Sequence, residues 1–109
     1  MVSIYGTTIT MTRGDTVSIG VSILQADGTE YILRAGDSVR FAVKKDYLDT
    51  EPLILKTLDN LDPKIELLPE DTKDLSFGKY VYDVELTKED GTVDTFINKA
   101  VLNITEEVY

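Results

Sequence analysis

Acidic side chains are the commonest reactive groups in this chain, with 20 Asp and Glu among 109 residues, and their spacing tests two uses for them. Calcium is held by oxygen ligands at close alternate positions, as in Asp-x-Asp-x-Asp-Gly. Asp15, Asp27, Asp37, Asp90 and Asp94 are too scattered for that, and Asp46, Asp49 and Glu51, which come nearest, read better as a solvated turn. Glycoside hydrolysis needs two carboxylates flanking a cleft, and nothing in the pattern pairs any two. A Ser or Thr nucleophile needs a base, and the chain has no His. The absence of Cys removes thiolate nucleophiles and thiolate metal sites, and no Gly-rich phosphate loop occurs. The expectation is a protein that is not an enzyme, with no catalytic, cofactor-binding or metal residue and no cofactor.

Two short motifs have simpler explanations. Arg13-Gly14-Asp15 matches an adhesion tripeptide, but the same Gly-Asp recurs at Gly36-Asp37 without the Arg. In both copies it is followed by a hydroxyl residue and Val (Thr16-Val17 and Ser38-Val39), which reads as a strand-initiating turn. There Gly would supply a positive φ and Asp would bond the next backbone N–H. Asn103-Ile104-Thr105 matches a glycosylation acceptor but falls inside an expected strand.

Charge and composition narrow the partners. The net charge of −9 argues against nucleic acid, whose phosphates need clustered Lys and Arg, and against an anionic membrane surface. With 42% hydrophobic and 28% charged residues the chain can fold, and residues 1–109 fit one domain. No apolar run reaches transmembrane length, and the N-terminal residues lack the basic start and apolar block of a signal peptide. Synthesis in the cytoplasm is therefore expected.

Strands must supply the framework. Tyr80, Tyr82, Val84 and Leu86 alternate with Lys79, Val81, Asp83 and Glu85, so one face of that strand covers a core. Val17, Ile19, Val21 and Ile23 make a second stripe across a strand at 16–24, and Val39, Phe41 and Val43 a third across 38–45. Further strands are expected at 4–11, 30–34, 53–58, 64–68, 79–88 and 92–99, with 100–108 closing the domain at an edge. Asp27-Gly28 and Asp90-Gly91 signal hairpins. Pro69 opens one short helix through Leu75, where Glu70 and Asp71 suit the first turn. Tyr5, Tyr31, Tyr47 and Tyr109 fit no core stripe and are available to an interface.

Two resemblances rest on these residues. Leu67-Leu68-Pro69-Glu70-Asp71-Thr72 leading to Tyr80-Val81-Tyr82 resembles the penultimate strands of immunoglobulin-type domains, with a longer spacing before Tyr80 and without the Cys pair or core Trp. More widely, four segments together resemble the immunoglobulin-like domains of phage and prophage tail or baseplate proteins. They are the opening Arg13-Gly14-Asp15-Thr16, the stretch from Gly36 to Lys45, the stretch from Gly78 to Val84, and the closing Ile104-Thr105-Glu106-Glu107-Val108. The resemblance implies an all-β, immunoglobulin-like antiparallel β-sandwich of about seven or eight strands. It also implies a non-catalytic structural or protein-interaction module, made in the bacterial cytoplasm and assembled into a virion. Its partners would be other tail or baseplate proteins, or further copies of itself. The alternative is a cell-surface module that recognises glycan or protein through its loops.

Overall fold

The computed structural model of the protein describes residues 2–23, 25 and 27–106. Eight strands are present among them, in two sheets. β1 (Val2–Tyr5) and β2 (Thr8–Thr12) pair antiparallel across a turn at Gly6, where a single strand over 4–11 was expected. β4 (Ser38–Lys44), β5 (Ile54–Leu58), β7 (Gly78–Thr87) and β8 (Val93–Thr105) join them in a six-stranded sheet of order β1-β2-β8-β7-β4-β5. β3 (Val17–Gly20) and β6 (Lys64–Leu67) form a separate antiparallel pair. The all-β class holds. The uniformly antiparallel sheet does not, because β2 runs parallel to β8, placing Ile9 beside Leu102 and Met11 beside Ile104.

One core lies under both sheets. Val39, Phe41 and Val43 of β4, Tyr80, Tyr82, Val84 and Leu86 of β7, and Leu102 and Ile104 of β8 are buried with Val17, Ile65 and Leu67 of the small sheet. These are the alternate residues of each strand, as a sheet with one dry face requires. Ile19 and Val21, expected in that core, are only partly buried. Their strand ends at Gly20, and Val21 N–H then bonds the Pro63 carbonyl. Ile23 is buried, while Leu24 lies outside the described residues. The strand expected at 30–34 is reduced to an isolated bridge at Glu30, although Tyr31 N–H still bonds Ile23 O at 2.8 Å.

The closing strand departs most from expectation. The hairpin arm expected at 92–99 does pair with β7, but the closing strand expected at 100–108 is not a separate edge strand. β8 is continuous to Thr105 and lies between β2 and β7. Its pairing with β7 slips twice, from Tyr82↔Ala100 to Val84↔Ile97 and on to Glu85↔Thr95. Each slip inserts one extra residue in β8, which is a β-bulge. Lys99, at φ 55°, sits in the first, with its N–H donated to Asp83 Oδ1 at 2.7 Å.

The turns follow their sequence chemistry more closely. Asp27-Gly28 and Asp90-Gly91 adopt one geometry: the Gly N–H bonds the carbonyl three residues earlier, the Gly takes positive φ, and the Asp carboxylate accepts from the next Thr N–H. Each is a tight turn closed by a left-handed Gly. The helix is a single turn, Pro69–Thr72, shorter than the span to Leu75. Asp71 Oδ2 accepts Leu68 N–H at 2.7 Å, satisfying a donor at the helix start. Burial pushes the Asp71 carboxyl up, but that N–H and the Lys56 ammonium, 2.9 Å away, outweigh it and leave the group below its ordinary value. Lys56 shares a strand face with buried Ile54 and Leu58, so this ion pair places a charge on the inward side of the edge strand β5. Such a charge guards a free edge against pairing with another strand.

Candidate interaction surface

Two loop corners hold the strand ends. Thr72, fully buried, accepts Gly14 N–H on its Oγ1 at 2.8 Å. Arg13 lies 4.2 Å above the Phe77 ring and donates to Leu75 O. The Arg-Gly-Asp turn is thus clasped to the helical corner, with its Arg stacked on Phe77. Thr72→Val keeps the volume but leaves Gly14 N–H without that acceptor. It should lower unfolding free energy by about 1–3 kcal/mol in urea melts. A variant as stable as the parent would show that the bond is dispensable.

The second corner centres on Asp37, which is 4% exposed. Oδ2 accepts the Tyr31 hydroxyl at 2.7 Å and Arg34 N–H at 3.0 Å, and Oδ1 accepts Glu89 N–H at 3.0 Å. Asn60 Nδ2 donates to both Arg34 O and Asp37 O, joining the β5–β6 turn to the cluster. The Arg34 N–H, then the Tyr31 hydroxyl and the Glu89 N–H, hold the Asp37 carboxyl below its ordinary value, while the bond to Asp37 raises Tyr31. Beside this corner a groove of about 510 Å³ runs between residues 20–23 and 60–63, with Tyr31 and the almost fully exposed Leu61 (94%) on its walls.

Further apolar exposure lies on the outward face of the six-stranded sheet. Register sets Val101 beside Val81, Val81 beside Lys44, and Ala42 between Asp83 and Leu55. Tyr47, in the β4–β5 connection, lines a shallow depression with Ala42, Val81 and Asp83, and Lys99 Nζ stands 4.5 Å from the centre of its ring. Leu53 and Leu55 alternate with buried Ile54 and are each more than half exposed; Leu48 is 76% exposed. Partly exposed Ala42, Val81 and Val101, with Tyr47 and Leu55 beside them and charged residues around, have the make-up of a contact surface.

The other residues singled out by sequence resolve as follows. Tyr47 is exposed at this face, whereas Tyr31 is spent on Asp37. The side chains of Tyr5 and Tyr109 lie outside the described residues. Asp46 and Asp49 bond their own loop, Asp46 Oδ1 accepting Leu48 N–H and Asp49 Oδ2 accepting Asp46 N–H. Among the described residues no group of three or more His, Cys, Asp or Glu is placed to hold a metal ion. Asn103-Ile104-Thr105 lies in β8. One run that the reading of the sequence did not single out, Ser76-Phe77-Gly78-Lys79, has the spacing of a lysine-assisted serine, which the lack of His does not dispose of. The backbone here is not helical, bending at Phe77 and entering β7 at Gly78, so Ser and Lys are not brought together by one helix turn. The Ser76 hydroxyl is 3.2 Å from that of Tyr80, and Lys79 is exposed. No helix among the described residues is long and apolar enough to cross a membrane. No protein-family model matches the chain, and no curated protein matches it in sequence.

Proposed function

We propose that this chain is a non-catalytic, immunoglobulin-like interaction module of a phage or prophage tail or baseplate, working through its sheet faces and loops. The observation that carries the interaction role is the outward sheet face, where Tyr47, Leu53 and Leu55 leave apolar surface uncovered. The immunoglobulin-like assignment draws support from strand order: β3 with β6 correspond to strands B and E, and β5-β4-β7-β8 to C′, C, F and G. Tyr80 adds to it by donating its hydroxyl to Ser76 O at 2.7 Å, four residues upstream, as in the tyrosine corner of such domains. The tail or baseplate setting rests on the resemblance of the four segments from Arg13 to Val108.

Pull-down against proteins encoded beside its gene tests the reading. Capture of a tail or baseplate neighbour is the expected result, with the captured amount reduced by Leu55→Glu. The groove beside Asp37 favours the second reading, a surface module that recognises glycan. A chain that captured none of those neighbours but bound purified cell-wall polysaccharide would overturn the first reading in favour of the second.

A further inference from the structure

We propose that Asp27–Gly28 is a site of spontaneous backbone isomerisation in the folded protein, and that Asp90–Gly91, the same dipeptide in the same turn, is shielded from it. The reaction needs no enzyme. The Gly amide nitrogen attacks Cγ of the preceding Asp; a C–N bond forms, and the carboxyl hydroxyl leaves with the amide proton as water. Water then opens the resulting succinimide at one of its two carbonyls. Opening at the Asp main-chain carbonyl routes the chain through Cγ. It leaves an isoaspartyl link, with one more carbon in the backbone and no net change in mass. Gly permits this most readily, because no Cβ crowds the attacking nitrogen or limits the backbone angles it needs.

Both turns must open to react. In each, the Gly N–H is donated at 2.9 Å to the carbonyl three residues earlier, which holds the proton that has to be lost. The Thr hydroxyl, then the Thr N–H, keeps each Asp carboxyl below its ordinary value, and an ionised carboxylate has no hydroxyl to release. The sequence is Asp-Gly-Thr in both, so the opened turns share one chemistry and differ in what opening costs. The Asp90 turn is tied down at its base, where Thr87 pairs with Val93 in the β7–β8 ladder. Glu89, next to Asp90, donates its N–H to buried Asp37 at 3.0 Å, and its side chain lies against Gly36. The Asp27 turn instead caps an arm outside both sheets: β3 has ended at Gly20, and residues 25 and 27–30 are all exposed. Its support among the described residues is local. Gln25 N–H bonds Thr29 O at 2.8 Å and Gln25 Nε2 bonds Thr29 Oγ1 at 3.2 Å, and below them Tyr31 N–H bonds Ile23 O at 2.8 Å. The Tyr31 hydroxyl reaches Asp37 too, but from four residues beyond Asp27. Residues 30–33 of this arm wall the groove of about 510 Å³, so isomerisation falls on the groove rather than on the sheets.

Isoaspartate mapping tests the proposal. The whole folded chain is aged at neutral pH, digested, and read by electron-transfer fragmentation, which separates Asp from isoaspartate. Where opening is fast, the rate at each site follows the population of its open turn. Isoaspartate should therefore build up at residue 27 at least about tenfold faster than at residue 90. Tenfold is the equivalent of about 1.4 kcal/mol, less than one hydrogen bond to a charged group usually contributes. In guanidinium chloride, where both turns are open, the two sites should isomerise at equal rates. Hydrogen exchange gives a second measure that needs no ageing. Both Gly amides follow an Asp and so share one intrinsic exchange rate, and in the native chain Gly28 N–H should exchange at least about tenfold faster than Gly91 N–H. Equal accumulation at the two sites of the folded chain, or faster accumulation at residue 90, would overturn the proposal. So would a folded chain with no isoaspartate at residue 27 by the time the unfolded chain has converted fully, or a Gly91 amide that exchanges as fast as that of Gly28.

Discussion

Phe41→Ala should lower the unfolding free energy by about 3–5 kcal/mol, the usual cost of truncating a core aromatic. Phe41 has no solvent exposure and lies at the centre of β4, with β5 on one side and β7 on the other. Its ring stands 5.4 Å from that of Tyr82 at a 53° tilt, so the substitution removes an aromatic contact and opens a cavity. Relaxation has little room, because Val39, Val43 and Val84 around it are equally buried. Glu85→Ala, on the other face of β7, supplies the control. It deletes only the bridge to Arg40, a partner whose side chain is half exposed, and such surface pairs contribute well under about 1 kcal/mol. Urea melts of the two variants should differ several-fold in free-energy loss. Similar losses would mean that the inward and outward faces of these strands have been exchanged.

That contrast also shows where the fold was legible. β4 and β7 could be read because their alternation is unbroken over seven and ten residues, and a period of two with one apolar face admits only one facing. β8 could not. Its inward residues run Ile97, Ala100, Leu102, Ile104, and the odd step between Ile97 and Ala100 looks like a strand end when it is a bulge. Its place inside the sheet depends on β2, a partner some 90 residues away, and nothing local encodes that pairing or its parallel sense. The two Gly-Asp turns show a subtler limit. Gly14 has φ 86°, as the motif suggests, but Gly36 does not lie at positive φ. A Cβ there would come within 2.5 Å of the Glu89 side chain, so that Gly is needed for close approach. The exposed face was hinted at only by Tyr47; the leucines beside it read equally well as core until the register of β5 is known.

Asp37 is the polar side chain whose loss should be felt most. Asp37→Asn preserves the shape but offers one acceptor oxygen to a site where two oxygens serve three donors: the Tyr31 hydroxyl, Arg34 N–H and Glu89 N–H. At least one of those donors must lose its partner, and an amide N–H is turned toward another donor. Because the cluster ties the β3–β4 connection to the β7–β8 hairpin, both ends loosen together. The melting temperature at pH 7 should fall by roughly 10 °C or more. The pH dependence follows from the lowered carboxyl. A group whose folded value lies below its unfolded one stabilises the fold at any pH above the unfolded value, near 3.8 for Asp, and that stabilisation is lost as pH drops through the folded value. Asp27, Asp71 and Asp90 are lowered too, so the parent's acid unfolding mixes several groups. Subtracting the Asn variant isolates Asp37. The stability gap between parent and variant should be constant from neutral pH down to about 4 and should narrow below that, as the parent's Asp37 takes up its proton. A gap that held its full size well below pH 3 would mean that the carboxylate charge contributes nothing beyond the shape of the side chain.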